Sequence, residues 1–479
     1  MLRRQRRETH HKITVVLRQK YPSWVAEHPE LMARHHQEAG AIHEAIRSWR
    51  AAAEKAIREA AHFEAASHAH RGLQLVRAAA DGGQNLDEFE ASLQVALGLA
   101  LSALRNFADP KAAAAYDRAE ALTQTLDEPG ARLRILSPLV HYRLSRGQID
   151  DACALADDLV QAASKAGSPR ASASAQRSRG FANLLAGHLG AAESELEQGI
   201  EQSQLAVMVQ RAPTECMSFP LMASLGDLSW AAWLQGHVDL ALLYSNRSVS
   251  QASQQDDPFA HLLSLFRAAF LRAFLRQPSA ARKLAAQLSV EAERRGYHFF
   301  VASGHFIDGY TLVAQGNASQ GILKMSEGLD GIWTTGMRAG LPRNQALLAE
   351  ALGQQGEIAE GLSLLESATA TAERTGERHY EAEFHRLRGE LLALDDKASS
   401  QQVRECFLRA RAVARRQGAL AFELRAATDL LRQGIATRHS ELGDDRAALL
   451  EICDRFENSP ENLDLEDAYS LLAHRSDAA

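Results

Sequence analysis

Aromatic side chains recur along the middle of this sequence at positions that a series of helices would present on one face. An arginine precedes the series and a glutamate follows it: Arg177, Phe181, Trp230, Trp233, Phe266, Phe306, Tyr310 and Glu350. Aromatic residues and arginine supply much of the binding energy of protein interfaces, so the series predicts a groove for a peptide or a partner helix. The same stripe also fits the packed interior of a helical array. Both interpretations stay open at this level.

Histidines number 19, and several lie close together: His10 and His11, His35 and His36, and His62, His68 and His70. Adjacent residues of a helix point in different directions, so these pairs do not converge as metal ligands must. The sequence contains neither GxSxG nor HExxH, and no GxxxxGK[ST] loop that would cradle phosphates. We therefore predict no catalytic residue, no metal site, no cofactor, and a chain that is not an enzyme.

The first twenty residues carry a basic run on an otherwise acidic chain: Arg3, Arg4, Arg6, Arg7, Lys12, Arg18 and Lys20. Such a run could touch nucleic acid or an acidic partner. Leu2, Ile13, Val16 and Leu17 are interspersed with it, which favours an amphipathic helix with a solvated basic face. The formal net charge of −7 also argues against a dedicated nucleic-acid binder.

Composition indicates a folded helical chain. Hydrophobic residues make up 46% of the 479 residues, charged residues 24%, and only 12 are proline. The four cysteines lie far apart without a CxxC pair, which is typical of reduced thiols. No stretch approaches 18 uncharged apolar residues, and the N-terminus lacks the apolar run of a signal peptide. We expect a cytoplasmic protein without a membrane span.

Small residues recur with a period of about 40. Gly389 follows Ala349, Gly309, Ala269 and Ser229 at steps of 40, and a longer step of 49 leads back to Gly180. Glycines lie seven residues after most of them, and further small residues lie twelve after. These later positions are Gly187, Gly236, Gly316 and Gly356, then Ala192, Ala241, Ala281, Gly321 and Gly361, with Ala33, Gly40 and Ala45 repeating the pattern near the N-terminus.

This spacing predicts helical hairpins, in which small residues let two helices touch and the glycine ends the first helix. Hairpins that cannot bury their faces alone must stack into a solenoid. We predict an all-α, right-handed superhelix of nine to eleven antiparallel helix pairs. It would comprise an entry cap (1–80), irregular repeats (81–206), regular repeats (207–436) and closing helices (437–479). The 49-residue step, with Pro213 and Pro220, indicates a longer loop or a hinge.

The pattern resembles the tetratricopeptide repeat, with HEAT-like repeats as an alternative. Three stretches resemble more specifically the repeat region of bacterial signalling proteins that join an adenylate or guanylate cyclase to a STAND-type AAA ATPase. They are residues 28–76, "ERTGERHYEAEFHRLRGELLAL" (373–394) and "CFLRARAVARRQGALAFELRAATDLLR" (406–432). The ATPase phosphate loop and the cyclase catalytic domain are absent from this sequence, so none of that family's catalytic residues transfers to it.

Three functions are compatible with these observations. The resemblance favours a non-catalytic interaction or sensor scaffold of a bacterial signalling system, which binds a partner protein, peptide or effector on its concave helical face. An AAA or STAND ATPase, or a cyclase, would be a partner, and the basic N-terminal edge is where we expect it to dock. Alternatively, the chain is the regulatory C-terminal part of a cyclase or ATPase, or the ligand-sensing part of a transcriptional regulator.

Overall fold

The structure is a computed structural model that describes residues 2–59, 61–79, 86–210, 218–255, 257–456 and 461–473. Helices are the only regular secondary structure within these ranges, which confirms the all-α prediction. They are α1 (Leu2–Lys20), α2 (Pro22–Glu27), α3 (Pro29–Ala39), α4 (Ile42–Arg58), α5 (His62–Ala79), α6 (Asp87–Leu104), α7 (Pro110–Thr123), α8 (Pro129–Ser145), α9 (Ile149–Ala166), α10 (Pro169–Leu185), α11 (Leu189–Gln210), α12 (Ser218–Leu234), α13 (Val238–Ser253), α14 (Pro258–Phe274), α15 (Pro278–Arg295), α16 (His298–Ala314), α17 (Ala318–Thr334), α18 (Leu341–Gln354), α19 (Ile358–Thr375), α20 (Glu381–Ala393), α21 (Ser400–Gln417), α22 (Leu420–Thr437), α23 (Leu442–Cys453) and α24 (Leu463–Ala473).

Local sequence sets where many of these helices begin. Proline occupies the first turn of α7, α8, α10, α14 and α15, where its missing N–H costs nothing. Ser168 and Asp257 precede two of these prolines, and each side chain accepts a hydrogen bond from a first-turn backbone N–H. At α21, Ser399 and Gln402 form a reciprocal capping box.

Contacts divide the chain into two compact units. The first runs to Arg146 and includes residues 161–166, and the second holds residues 147–160 and the chain from Gly167 onwards. In the first unit, α1 packs on α3, α3 on α4, and α4, α5 and α6 on one another. The finer division of the chain into caps and repeats remains a prediction.

The second unit consists mainly of helical hairpins. The pairs α10/α11, α12/α13, α14/α15, α16/α17, α18/α19 and α20/α21 pack antiparallel, and the first helix of each pair also contacts the first helix of the next. The first helices are called inner helices below, and α22 continues their row. The long step in the repeat has a local cause, because α11 extends for 22 residues to Gln210. Pro220 lies in the first turn of α12, whereas Pro213 falls outside the described residues.

The small residues that begin each step of the repeat, and those twelve residues later, lie where paired helices touch, and all of them are buried. A Cβ atom on Gly309 would lie 2.6 Å from the carbonyl oxygen of Gly321, and one on Gly321 would lie 2.6 Å from that of Gly309. A Cβ on Gly389 would lie 2.6 Å from the Phe407 ring. The glycines therefore allow close approach, which offsets their cost of about 1 kcal/mol in a helix.

The glycines seven residues later end the inner helices. Gly187, Gly236, Gly316 and Gly356 all have positive φ, which glycine adopts without steric cost. Arg276 takes this place in the α14–α15 turn with φ 59°, a conformation that costs a non-glycine residue about 1 kcal/mol. Its guanidinium pairs with Asp464 (3.6 Å) and Asp467 (2.5 Å) of α24, which helps to offset that cost.

Replacement of Gly309 by alanine tests the close approach of α16 and α17. The added Cβ would clash with backbone atoms that cannot rotate away, so we expect the free energy of unfolding to fall by about 1–3 kcal/mol. The matched control is Gly190→Ala, because nothing lies within 4 Å of a Cβ there. This control should gain about 0.5 kcal/mol through reduced entropy of the unfolded chain. Urea unfolding measures the free energy of unfolding of both variants. Equal changes in the two would contradict a close approach of α16 and α17 at Gly309.

Candidate binding site

The aromatic residues of the inner helices lie in the largest described hydrophobic core. Trp230 is 5% exposed, Trp233 3% and Phe306 0%. Trp233 stacks on Phe274 of α14, with ring centroids 4.7 Å apart, and meets the ring of Phe422 edge-on at 5.4 Å. For these three residues, burial favours core packing over an open groove, and a role in binding stays a prediction.

Phe181, Phe266 and Tyr310 are half-buried and pack against the same core. Two guanidinium groups flank the Phe181 ring, with Arg177 at 5.2 Å and Arg267 at 5.3 Å from its centroid. Both arginines also pair with the fully buried carboxylate of Asp227 on α12. Arg177, predicted at one end of the groove, therefore lies in a buried ionic cluster, and a binding role for it remains a prediction.

The row of inner helices curves until its start meets its end. Arg425 of α22 donates to the backbone oxygen of Phe274 (2.7 Å) and pairs with Asp464 (2.6 Å). The backbone N–H groups of Arg378 and His379 donate to the Leu185 oxygen, at 2.8 and 3.2 Å. The C-terminal ends of α12 and α14 consequently contact α22, through Trp233 and Phe274. Sequence reasoning missed these contacts, because they join residues about 150–190 positions apart.

A second ionic cluster lies on α20 and α22. Arg386 makes two hydrogen bonds to Glu383, at 2.8 and 3.0 Å, and pairs with Glu390 (2.6 Å) and Asp429 (2.9 Å). Arg432 pairs with the other oxygen of Asp429 (2.5 Å). Buried charges persist only when they are paired in this way. The repeat period could have located Arg386 and Glu390, since they follow Ala346 and Glu350 by 40 residues.

A cavity of about 510 Å³ adjoins this cluster. Its walls come from α18, α20, α21 and α22, and it unites carboxylates with apolar side chains. The lining includes Glu350, Gly353, Leu387, Glu390, Leu391, Leu394, Val403, Phe407, Asp429, Arg432, Gln433, Ala436 and Thr437. Of the residues predicted for binding, Glu350 alone is in this lining.

The Glu350 carboxylate lies among charged groups, and we find no hydrogen-bond donor or ion-pair partner for it in the described part of the chain. Burial, with repulsion from Glu390, raises its pKa to about 7, against the attraction of Arg386 and Arg425. Burial also raises the pKa of the neighbouring Tyr310 phenol. Glu350 therefore keeps its proton to a higher pH than an exposed glutamate does.

A further buried polar group lies between α17 and α20. Glu377 accepts hydrogen bonds from the Gly340 backbone N–H, at 2.9 and 3.2 Å, and burial raises its pKa to about 7. Burial and the nearby Arg343 lower the pKa of His379 to about 3, so this imidazole is neutral. The Arg343 guanidinium lies 4.3 Å from the centroid of the Phe270 ring. These groups fill the interior and line no described cavity.

The histidine groups lie in the first unit. The Nδ1 atoms of His10 and His35 are 2.8 Å apart, so α1 and α3 share one N–H···N hydrogen bond there. Within the described ranges, no three His, Cys, Asp or Glu side chains are placed to hold a metal ion. In the basic run, Arg4 pairs with Glu8 and Arg6 with Glu38. None of the described helices is long and apolar enough to cross a membrane.

The sequence matches no protein-family model and no curated protein. Among solved structures, it is similar to a Rap protein complexed with competence and sporulation factor, with a TM-score of 0.50 and 11% identity over 77% of this chain and 98% of that chain. Yeast Tom70 is similar with a TM-score of 0.39 and 13% identity, over 90% of this chain and 97% of that chain. A STAND protein with a tetratricopeptide repeat sensor from Pyrococcus horikoshii is similar with a TM-score of 0.39 and 11% identity, over 79% of this chain and 65% of that chain. The fold is that of a tetratricopeptide-like α-solenoid.

Glu350 should make the folded protein less stable as the pH rises. Its folded pKa of about 7 exceeds the ordinary 4.5, so its contribution is complete at low pH and is lost as pH rises through 7. Glu377 contributes to the pH dependence of stability in the same direction, but it is present in both wild type and the Glu350 variant. As the pH rises from about 5 to about 8, we expect the melting temperature of Glu350→Gln to fall less than that of wild type.

The matched control for this variant is Glu360→Gln on the exposed surface of α19, which removes the same charge. Its pH profile should follow that of wild type. Identical profiles for wild type and Glu350→Gln would contradict the assignment of Glu350 as a half-buried carboxylate without an ion pair among the described residues.

Proposed function

We propose that this chain is a non-catalytic interaction or sensor scaffold that binds a segment of a partner protein, or a small effector, in the cavity beside Glu350. The observation that carries the proposal is this preformed space of about 510 Å³, with a carboxylate that lacks a partner among the described residues. Binding cavities in proteins typically measure about 300–1,000 Å³ and combine apolar walls with a few polar groups.

The setting of the cavity supports a binding role. Most of its walls belong to four helices, and Leu394, Asp395 and Ala398 add the short connection between α20 and α21. The lining is therefore held mainly by packed helices rather than by a long loop. The aromatic residues of α12, α14 and α16 are occupied by packing, which leaves little surface for a ligand there. The Rap protein of similar fold was solved with a bound factor, and we propose the same general role for this solenoid.

We further propose a bacterial signalling context and a cytoplasmic location. The resemblance of residues 28–76, 373–394 and 406–432 to the repeat region of cyclase and STAND ATPase proteins supports this context. An ATPase or cyclase module would then be the partner that the scaffold regulates, and the basic surface of α1 is the proposed docking edge. Such a scaffold would act by binding one state of its partner more tightly than another.

Obstruction of the cavity tests the proposal. Ala436 is exposed at the cavity lining, so Ala436→Trp would place an indole across the space without disturbing the core. Ala412→Trp is the matched control, since Ala412 is exposed on α21 and does not line the cavity. We expect partners recovered by crosslinking from native lysate to fall at least about tenfold with Ala436→Trp, the equivalent of 1.4 kcal/mol.

Circular dichroism and melting temperature should be unchanged in both tryptophan variants. The control should keep the wild-type set of partners. If Ala436→Trp folds normally and retains every partner, the cavity is not the binding site.

A further inference from the structure

The charges around the cavity indicate which chemistry it accepts. Three carboxylates, Glu383, Glu390 and Asp429, share the guanidinium groups of Arg386 and Arg432. Glu350 is a fourth carboxylate beside them, without an ion pair among the described residues. Arg425 lies 3.6 Å from Glu383, but its closer contact is the Asp464 carboxylate at 2.6 Å. The cluster is therefore short of positive charge, and an anionic ligand is disfavoured.

The apolar part of the lining lies on the other helices. Leu391 of α20 and Leu394, which follows that helix, face the same space as the carboxylates, together with Val403 and Phe407 of α21. Leu394 is 54% exposed, so an apolar surface continues to the outside. A ligand that matches both regions has an apolar stem and one cationic end.

We propose that the cavity binds a primary ammonium group on an unbranched alkyl stem, with the ammonium at Glu350 and the stem against Leu391 and Phe407. This inference rests on the proposed function and specifies its ligand. An ammonium is a compact charge with three donors, which suits one unpaired carboxylate beside Glu390. A guanidinium fork is less suited, because Glu390 and Asp429 already bind Arg386.

Binding of the ammonium is linked to proton release. The titratable and charged groups that face Glu350 come from α16, from α20 with its N-cap, and from α22. They are Tyr310, Tyr380, Glu383, Arg386, Glu390 and Arg425. A cation placed there stabilises the ionised carboxylate and lowers the pKa of Glu350. At pH 6, a fraction of a proton therefore leaves the protein for each ligand bound.

Calorimetric titration with n-hexylammonium tests the proposal on the full chain. The measurement is made at pH 6 in two buffers of different ionisation enthalpy, so that proton release is counted. We expect n-hexylammonium to bind at least about tenfold more tightly than n-hexanol, with proton release to the buffer. Glu350→Gln should weaken binding about tenfold and abolish the release, whereas the control Glu360→Gln should change neither.

A second arm distinguishes a lysine side chain from a free amine. N-acetyl-lysine methylamide, which carries the ammonium on a four-carbon stem, should bind comparably if the natural ligand is a peptide lysine. If n-hexylammonium binds and N-acetyl-lysine methylamide does not, the natural ligand is a free amine. Both results support a ligand with a primary ammonium group.

Other outcomes overturn the inference. Equal binding of n-hexylammonium and n-hexanol, no binding of either, or unchanged binding by folded Glu350→Gln would each exclude the ammonium site. If the amine fails while Ala436→Trp still loses its partners, the proposed function stands and only the ligand class is wrong. If the amine binds while Ala436→Trp keeps its partners, the ligand class stands and the function is wrong.

Discussion

One half-buried guanidinium group, that of Arg425, joins the start and the end of the inner row in the second unit. This side chain joins α22 to the end of α14 through the Phe274 oxygen and to α24 through Asp464. It also lies 5.6 Å from the Trp233 ring centroid and 6.0 Å from that of Phe422. Loss of one member of a buried ionic pair typically costs about 3–5 kcal/mol, since the other charge remains without compensation. The start and end of the inner row are therefore fixed to each other.

This closure explains the division of roles among the inner side chains. Where α12 and α14 meet α22, Trp230, Trp233 and Phe274 exclude water and fill space. Further along, the inner side chains become charged, and Arg386 holds three carboxylates that would otherwise repel one another. Glu350 lies at the edge of that network beside a cavity, where burial is incomplete and pairing is absent among the described residues. Packing thus occupies the aromatic half of the inner row, whereas the acidic half borders the cavity.

The sequence predicted the hairpins well, because their determinants are local. Close contact of two helices requires small residues such as Gly309 and Gly321 at a fixed spacing, and the following turn requires glycine at positive φ. The closure was not predictable in this way. It depends on small rotations accumulated over several repeats, and no local pattern marks Leu185 and Arg378 as partners.

The candidate site shows the same limit. The repeat period was enough to predict Glu350 as a candidate residue. The cavity, Asp429 and the ion pairs of Arg386 could be found only from the three-dimensional packing. Arg276 gives a partial exception, since an arginine at a glycine position of the repeat signals a compensating contact. The identity of that contact, Asp464 and Asp467, still came from the structure.

Fluorescence quenching by acrylamide tests the closed inner face most directly. A variant with Trp24, Trp49 and Trp333 replaced by phenylalanine keeps only Trp230 and Trp233 as emitters. A second variant that keeps Trp333 alone, a side chain 55% exposed, serves as the accessible reference. A closed inner face should give blue-shifted emission from Trp230 and Trp233 and a quenching constant several-fold below that of Trp333. Quenching equal to the Trp333 reference in a folded variant would show that the inner aromatic face is open to solvent, which would contradict the closure of the inner row.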